Sequence, residues 1–165
     1  RRFRLDDVRL VVSFDEHFVR LLDEAYRHWT GQGLPAPEGL GREERLVWLH
    51  EQAPYSLLAH DGAVDPRFTY VNECALRCFK YPREDFIGMP SRFSASELDR
   101  PARQVLMEEV GAKGIAHGYS GWRVDAQEQP FMIHAGVVWN LLGGVGQAAL
   151  FWLDEGGRGT YPLLR

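Results

Sequence analysis

FTYVNECALRCFKYPREDFIGMPSRF, residues 68–93, sets a strand, a capped helix, a second helical turn and a glycine stop within 26 residues. Phe68, Tyr70 and Asn72 alternate with Thr69 and Val71, types suited to a pleated, half-buried strand. Asn72 is also a natural helix N-cap, so the strand ends where a helix begins. Ala75, Leu76 and Phe79 then fall at helical spacing, Pro82 carries the fixed φ of a first helical turn, and Gly88 offers a positive-φ stop after Phe86 and Ile87.

Upstream, Ser13 and Glu16 read as a capping box ahead of an amphipathic helix through Phe18, Leu21, Leu22, Ala25, Tyr26 and Trp29, which Gly31 stops. A Gly- and Pro-rich loop, 31–41, leads to a second helical pattern through Leu46, Leu49, His50 and Ala53, ended by Pro54. Ser56 to His60 reads as a short strand, and Asp61-Gly62 with Asp65-Pro66 marks a hairpin turn into the Phe68 strand. Downstream, Asp99 is placed to cap a helix with Pro101 in its first turn and Ala102, Val105, Leu106, Glu109 and Val110 beyond, closing near Gly111 or Gly114. Residues 117–125, 130–140 and 146–153 follow as strands of an antiparallel meander, separated by Ala126–Gln129 and by Gly143-Gly144.

Two helices, two strands, a helical middle and three strands predict an α+β domain built on one antiparallel sheet with helices on one face. Bulk on both sides of the 130–140 strand, with Phe131, Ile133, Val137 and Trp139 against Met132, His134 and Val138, requires cover on both faces. The N-terminal helices supply the outer cover, leaving the inner face and the middle helices to enclose a cavity. The chain therefore divides into a helical extension packed on the domain (1–53), a core (54–153) and a Gly-rich, flexible tail (154–165).

A chain of 165 residues with 45% hydrophobic and 25% charged side chains has ordinary composition for one globular domain. The longest apolar runs, such as 148–153, fall far short of the roughly 20 residues that span a bilayer, and no basic-then-apolar leader opens the sequence. A soluble, cytoplasmic protein without membrane contact is expected. A net charge of −4 with scattered Lys and Arg gives little attraction for a phosphate backbone, so no direct nucleic-acid partner is expected. Cys74 and Cys78, four apart on one helix face, are expected to be reduced thiols, because that geometry does not suit a disulfide.

The element order, with Val71-Asn72 leading into a helix and YPREDFIG at 81–88, resembles the PAS superfamily. It is more specifically similar to the PAS-related MEKHLA domain family, through PSRFSA (90–95), YSGWRV (119–124), VVWNL (137–141) and GQAALF (146–151), over residues 14–153. The resemblance implies a five-stranded antiparallel PAS sheet, with 56–58 and 68–71 as its first hairpin, and a role in sensing or dimerisation. Many PAS relatives sense light through flavin, and their cysteine signature aligns on 88–95, where Ser91 stands at the photoreactive cysteine's position and Pro90 at that of an asparagine. A hydroxyl cannot form the sulfur adduct, so flavin–cysteine photochemistry is excluded. Haem-type relatives need an axial His on or near the long middle helix; 99–112 has none, and haem is not expected. The cofactor, if there is one, is left unidentified.

Eight residues stand out as ligand candidates. Arg92 and Arg123 lie in motifs otherwise made of small and aromatic residues, where a guanidinium fork suits either a carboxylate ligand or a structural pair with Asp85, Asp99 or Asp125. Tyr70, Trp122 and Trp139 suit the wall of a pocket for a planar or apolar molecule, or the core itself. Asn72 and Asn140 at strand ends suit ligand orientation or backbone capping, and His134 suits a cavity donor, a titrating switch or a hydrogen-bonded core histidine. No catalytic residue or metal site is nominated. The six histidines form no H-E-x-x-H, Cys74 and Cys78 lack a second ligand pair at zinc spacing, the 143–146 glycine run precedes a strand rather than a helix, and Ser91 and Ser120 have no recognisable triad partners.

The sequence thus reads as a sensory domain that binds a small organic molecule and signals through a partner. The alternative is a ligand-free module that forms a homodimer or binds a protein through Leu21, Tyr26 and Trp29; an enzyme using the cavity is a distant third.

Overall fold

Asp15 accepts a hydrogen bond from the Phe18 N–H at 3.1 Å and so caps α1 (Glu16–Thr30), which Gly31 ends in the left-handed conformation. The computed structural model describes residues 15–95 and 99–153; Ser13 and the expected tail at 154–165 lie outside the described residues. The cap thus falls on Asp15 rather than on Ser13, because the Asp15 carboxylate reaches the third free N–H of the helix. α2 (Arg42–Glu51) follows the Gly/Pro loop. Buried Asp23 of α1 ties that loop and α2 together, accepting from Leu34 N–H at 2.7 Å and pairing with Arg45.

β1 (Ser56–His60) and β2 (Phe68–Val71) form the expected hairpin, and Asn72 caps α3 (Glu73–Phe79) by accepting from Ala75 N–H at 3.0 Å. α4 (Arg83–Phe86) follows Pro82, a 3-10 turn occupies Ser91–Ser94, and α5 (Arg100–Lys113) ends at left-handed Gly114. β3 (Ile115–Val124), β4 (Pro130–Asn140), a 3-10 turn at Leu142–Gly144 and β5 (Gln147–Leu153) complete the chain. The strands make one antiparallel sheet in the order β2-β1-β5-β4-β3, the α+β architecture expected. Cys74 and Cys78 are both free thiols.

Two apolar layers sandwich the sheet. On the outer face Val19, Leu22 and Ala25 of α1 and Leu46 and Leu49 of α2 pack on Leu57, Tyr70, Trp139, Leu150 and Trp152. The Trp139 indole N–H donates to the Leu22 carbonyl at 3.2 Å, so the tryptophan is hydrogen-bonded as well as buried. On the inner face Ala75, Phe79 and Phe86 from the short helices and Leu106 and Val110 from α5 pack on Leu58, Phe68, Val71, Ala116, Ile133 and Phe151.

Strict alternation fails in three strands; in β3 the register shifts on both sides of Tyr119, so Ala116 and Tyr119, three residues apart, both pack on the inner face. In β4 the register slips between His134 and Val137, with Ala135 at φ 53°, so Phe131 and Ile133 pack on the inner side while Val137 and Trp139 pack on the outer. The four had been expected on one face; the extra residue of a bulge reverses the pleat beyond it. In β2 a shift opposite Ala59/His60 likewise sends Phe68 inward and Tyr70 outward, although they are two residues apart.

Candidate functional site

Between the inner face of the sheet, the 3-10 turn and α5 lies a cavity of about 70 Å³. Leu58, Phe68, Phe79, Leu106, Ile133, Val138 and Phe151 supply apolar walls, and His60, Ser91, Ser94, Arg103, Tyr119, Arg123 and Gln147 supply polar ones. α5 contributes Arg103 because Arg103, Leu106, Met107 and Val110 recur at i, i+3, i+4 and i+7, which places the arginine on the helix's sheet-facing stripe. β3 contributes Tyr119 and Arg123, and the β3–β4 pairing sets Tyr119 opposite Gly136.

Asp99 departs from its expected role. It stands at the N-cap position of α5 but makes no side-chain cap. Its carboxylate instead accepts the Tyr119 phenol hydrogen bond and lies 4.0 Å from Arg123 Nη1, and all of these groups are largely withdrawn from water. A buried carboxylate gains more from a phenol and a guanidinium than from backbone N–H groups at a helix end that water can reach. Gly121 makes this possible, since a Cβ there would strike both Asp99 Oδ2 and the Tyr119 hydroxyl.

Electrostatics set the charge states. Burial raises the Tyr119 phenol, with the Arg123 charge opposing and the Asp99 hydrogen bond reinforcing that rise. Burial lowers Arg103, and the like charge of Arg123 lowers it further. Burial also lowers His60, whose Nδ1–H donates to the Asp61 carbonyl at 2.9 Å, so the imidazole is held neutral.

A wider, open groove of about 640 Å³ adjoins the cavity along α1, the β1–β2 turn and the β4–β5 turn. His60, Met107 and Gln147 line both spaces and mark where they meet. Gln147 Nε2 donates to Asn140 Oδ1 at 3.1 Å, while its buried Oε1 accepts no hydrogen bond from the described residues.

Of the eight sequence candidates, this cavity takes in Arg123 alone. Tyr70 lies on the outer face with its hydroxyl 2.6 Å from His50 Nδ1, and Trp139 is buried on that face as well. Asn72 is fully buried and wholly engaged with backbone: its Oδ1 accepts from Leu57 and Ala75, and its Nδ2 donates to Leu49 and Tyr55. Arg92 is exposed, pairs with Asp65 at 3.1 Å and lies over the Phe93 ring. Trp122 is 41% exposed on edge strand β3. His134 is half-buried beside Trp152, away from the cavity, and Asn140 lines the groove and donates to the Val110 carbonyl. Of the carboxylates expected to pair with the two arginines, Asp99 faces Arg123. Asp125 instead pairs with Lys80 at 3.2 Å and closes the β3–β4 turn through Gln127 and Gln129 N–H.

Sequence reasoning missed Arg103, His60, Gln147 and the Asp99–Tyr119 pair. For Arg103 a signal was present, a charged residue on the apolar stripe of α5. For the others the pairing exists only across the sheet.

The polar lining and modest volume also bear on cofactors. Ser91 does line the cavity, whereas neither cysteine does. Sites for drug-sized ligands typically span roughly 300–1,000 Å³, so the cavity in this structure is smaller than such a site. Among the described residues no group of three or more His, Cys, Asp or Glu is placed to hold a metal ion. No described helix is long and apolar enough to cross a membrane.

The sheet order and the helices packed on its inner face define the fold of PAS and LOV sensory domains. A PAS domain from Colwellia psychrerythraea superposes with a TM-score of 0.58 at 13% identity, covering 66% of this chain and 92% of that one. The LOV domain of the Erythrobacter litoralis EL346 blue-light-activated histidine kinase gives 0.52 at 20% identity over 61% and 95%. The PAS domain of a LuxR-family transcriptional regulator from Burkholderia thailandensis, in complex with ethanol, gives 0.52 at 17% identity over 64% and 92%. The MEKHLA domain model matches residues 16–152, and the chain belongs to the MEKHLA domain family. A search of curated proteins found no match.

Proposed function

We propose that this PAS-like domain binds a small organic ligand between the inner face of the sheet and α5, and signals its occupancy through a partner chain. The observation that carries this reading is the cavity itself, an apolar pocket with convergent polar groups from β1, the 3-10 turn, α5, β3 and β5. Elements from both ends of the sheet meet there, so filling it couples the packing of α5 to that of the strands. Ethanol, held by the Burkholderia thailandensis relative, shows how small a molecule a PAS fold can accommodate. Native mass spectrometry of the purified protein, with thermal-shift screening against alcohols, amides, amines, acids and small aromatics, tests the proposal. A retained or stabilising small molecule supports it; no retained mass and no shift across the panel sinks it.

Self-association without a ligand is the second reading, and a specific observation now moves its surface. Tyr26 packs edge-on against Trp139 at 4.9 Å, and Trp29 donates to the Asn140 carbonyl at 2.9 Å, so both are engaged within the chain. Exposed apolar side chains away from that face include Trp122 on edge strand β3 and Phe93 on the 3-10 turn. Light scattering at tens of micromolar separates the readings: a dimer dispersed by Trp122→Glu and indifferent to small molecules favours self-association.

A further inference from the structure

Two guanidinium groups line the cavity, and Asp99, which stands behind Tyr119 and Arg123 rather than in the lining, already accepts the Tyr119 hydrogen bond. Arg123 spends a single nitrogen on hydrogen bonds within the chain, and its guanidinium lies over the Tyr119 ring with Cζ 5.6 Å from the centroid. Nη1 faces the Tyr119 hydroxyl at 3.4 Å, the Trp122 carbonyl at 3.2 Å and Asp99 at 4.0 Å, leaving Nε and Nη2 without a partner among the described residues. Arg103, half-buried on the sheet-facing stripe of α5, makes no hydrogen bond or ion pair with any described residue. With His60 neutral, two positive charges face one negative charge among the described residues, beside apolar walls of Leu58, Leu106 and Phe151. A cation withdrawn from water without a counter-charge is costly, and the cost is relieved by an anion of matching geometry.

Guanidinium forks match planar, two-oxygen acceptors, and the apolar wall beside them suits a short hydrocarbon body. At roughly 10–15 Å³ for each water-sized sphere, the cavity has room for about five to seven such spheres. We propose that the cavity is a receptor for a short monocarboxylate, on the order of two to four carbons, whose carboxylate is bound by Arg103 and Arg123. The inference rests on the ligand-binding reading above and specifies its chemistry. Tyr119 and Asp99 then act as positioning residues, holding Arg123 by its Nη1 edge so that the remaining donors face the ligand.

The test uses the full chain at pH 7.5, with sodium chloride balancing ionic strength. Acetate, propionate, pyruvate and lactate are compared with acetamide, propionamide, lactamide and inorganic phosphate by thermal shift and calorimetry. The expected result is stabilisation by at least one acid, none by its amide, and a loss of affinity of at least tenfold in Arg103→Gln and in Arg123→Gln. Arg103→Lys, which keeps the charge but not the fork, should retain part of the affinity, and circular dichroism checks that each variant is folded. Stabilisation by amides but not acids overturns the carboxylate assignment while leaving a small-molecule site standing. Binding of phosphate in preference to every acid overturns it also. No response to any of these compounds overturns this inference, while the reading beneath it falls only if native mass spectrometry and the wider screen also find nothing.

Discussion

Asn72 shows how much one side chain holds. It joins four backbone groups in three segments: the end of α2, the start of β1 and the first turn of α3. Asn72→Ala strands two buried carbonyls and two N–H groups at once, and each buried polar group left unmade costs about 1–3 kcal/mol. A loss of at least about 3 kcal/mol is expected in urea unfolding, and a change below about 1 kcal/mol, within the range of an ordinary surface substitution, would contradict this account. The N-cap half of the residue's role was legible from its place between a strand pattern and a helical one. The half that bonds Leu49 and Tyr55 was not, because those partners are brought near only by tertiary packing. Arg123 and Arg103 divide similarly: a motif marked the first, and the second was legible only as a misfit on an apolar stripe.

At the level of elements, α2 is fastened to β2 through a histidine held neutral. Burial beside Tyr70 lowers His50 to about 4; the Arg83 charge helps, and Glu73 opposes. The unfolded chain takes up that proton near the ordinary value of about 6.5, so this contribution to stability is complete above it and is lost as pH falls from there toward 4. The expected loss over that window is about 3 kcal/mol, with His60, shifted in the same direction, adding to it. Urea melts at pH 7.5, 6 and 5 should show the decline, and His50→Gln should flatten it; an undiminished slope in the variant would place the proton uptake elsewhere. Elements were otherwise the most legible scale. Helix periods, Asn72, Gly31 and Gly88 act over neighbouring residues, so the pattern carries them. The bulges in β2 and β4 were not legible, since a single extra residue is defined by the partner strand it fails to match.

For the whole molecule, the N-terminal helices complete the fold. Leu57, Tyr70, Trp139, Leu150 and Trp152 are each at most 3% exposed beneath them. Uncovering five such side chains, at roughly 1.5–3 kcal/mol apiece, forfeits on the order of 10 kcal/mol, as much as an entire domain typically has. A protein beginning at residue 54 is therefore expected to be insoluble or to bind a hydrophobic dye strongly without a cooperative thermal transition. A sharp transition and a dispersed amide spectrum would show that the core at 54–153 stands alone.

The sequence by itself determined the order of elements, the single antiparallel sheet, the need to cover both its faces and the serine at position 91. Those follow from periodicity and from residue identity, which act locally. Tertiary structure alone decided which residues meet. Trp139 and Tyr70 went to the outer layer because bulges reversed the pleat, Asp99 left its helix end for Tyr119 and Arg123, and Arg103 and Arg123 came to share one cavity. Register, bulge and helix placement are set by the balance of many long-range contacts, and no stretch of chain contains that balance within itself.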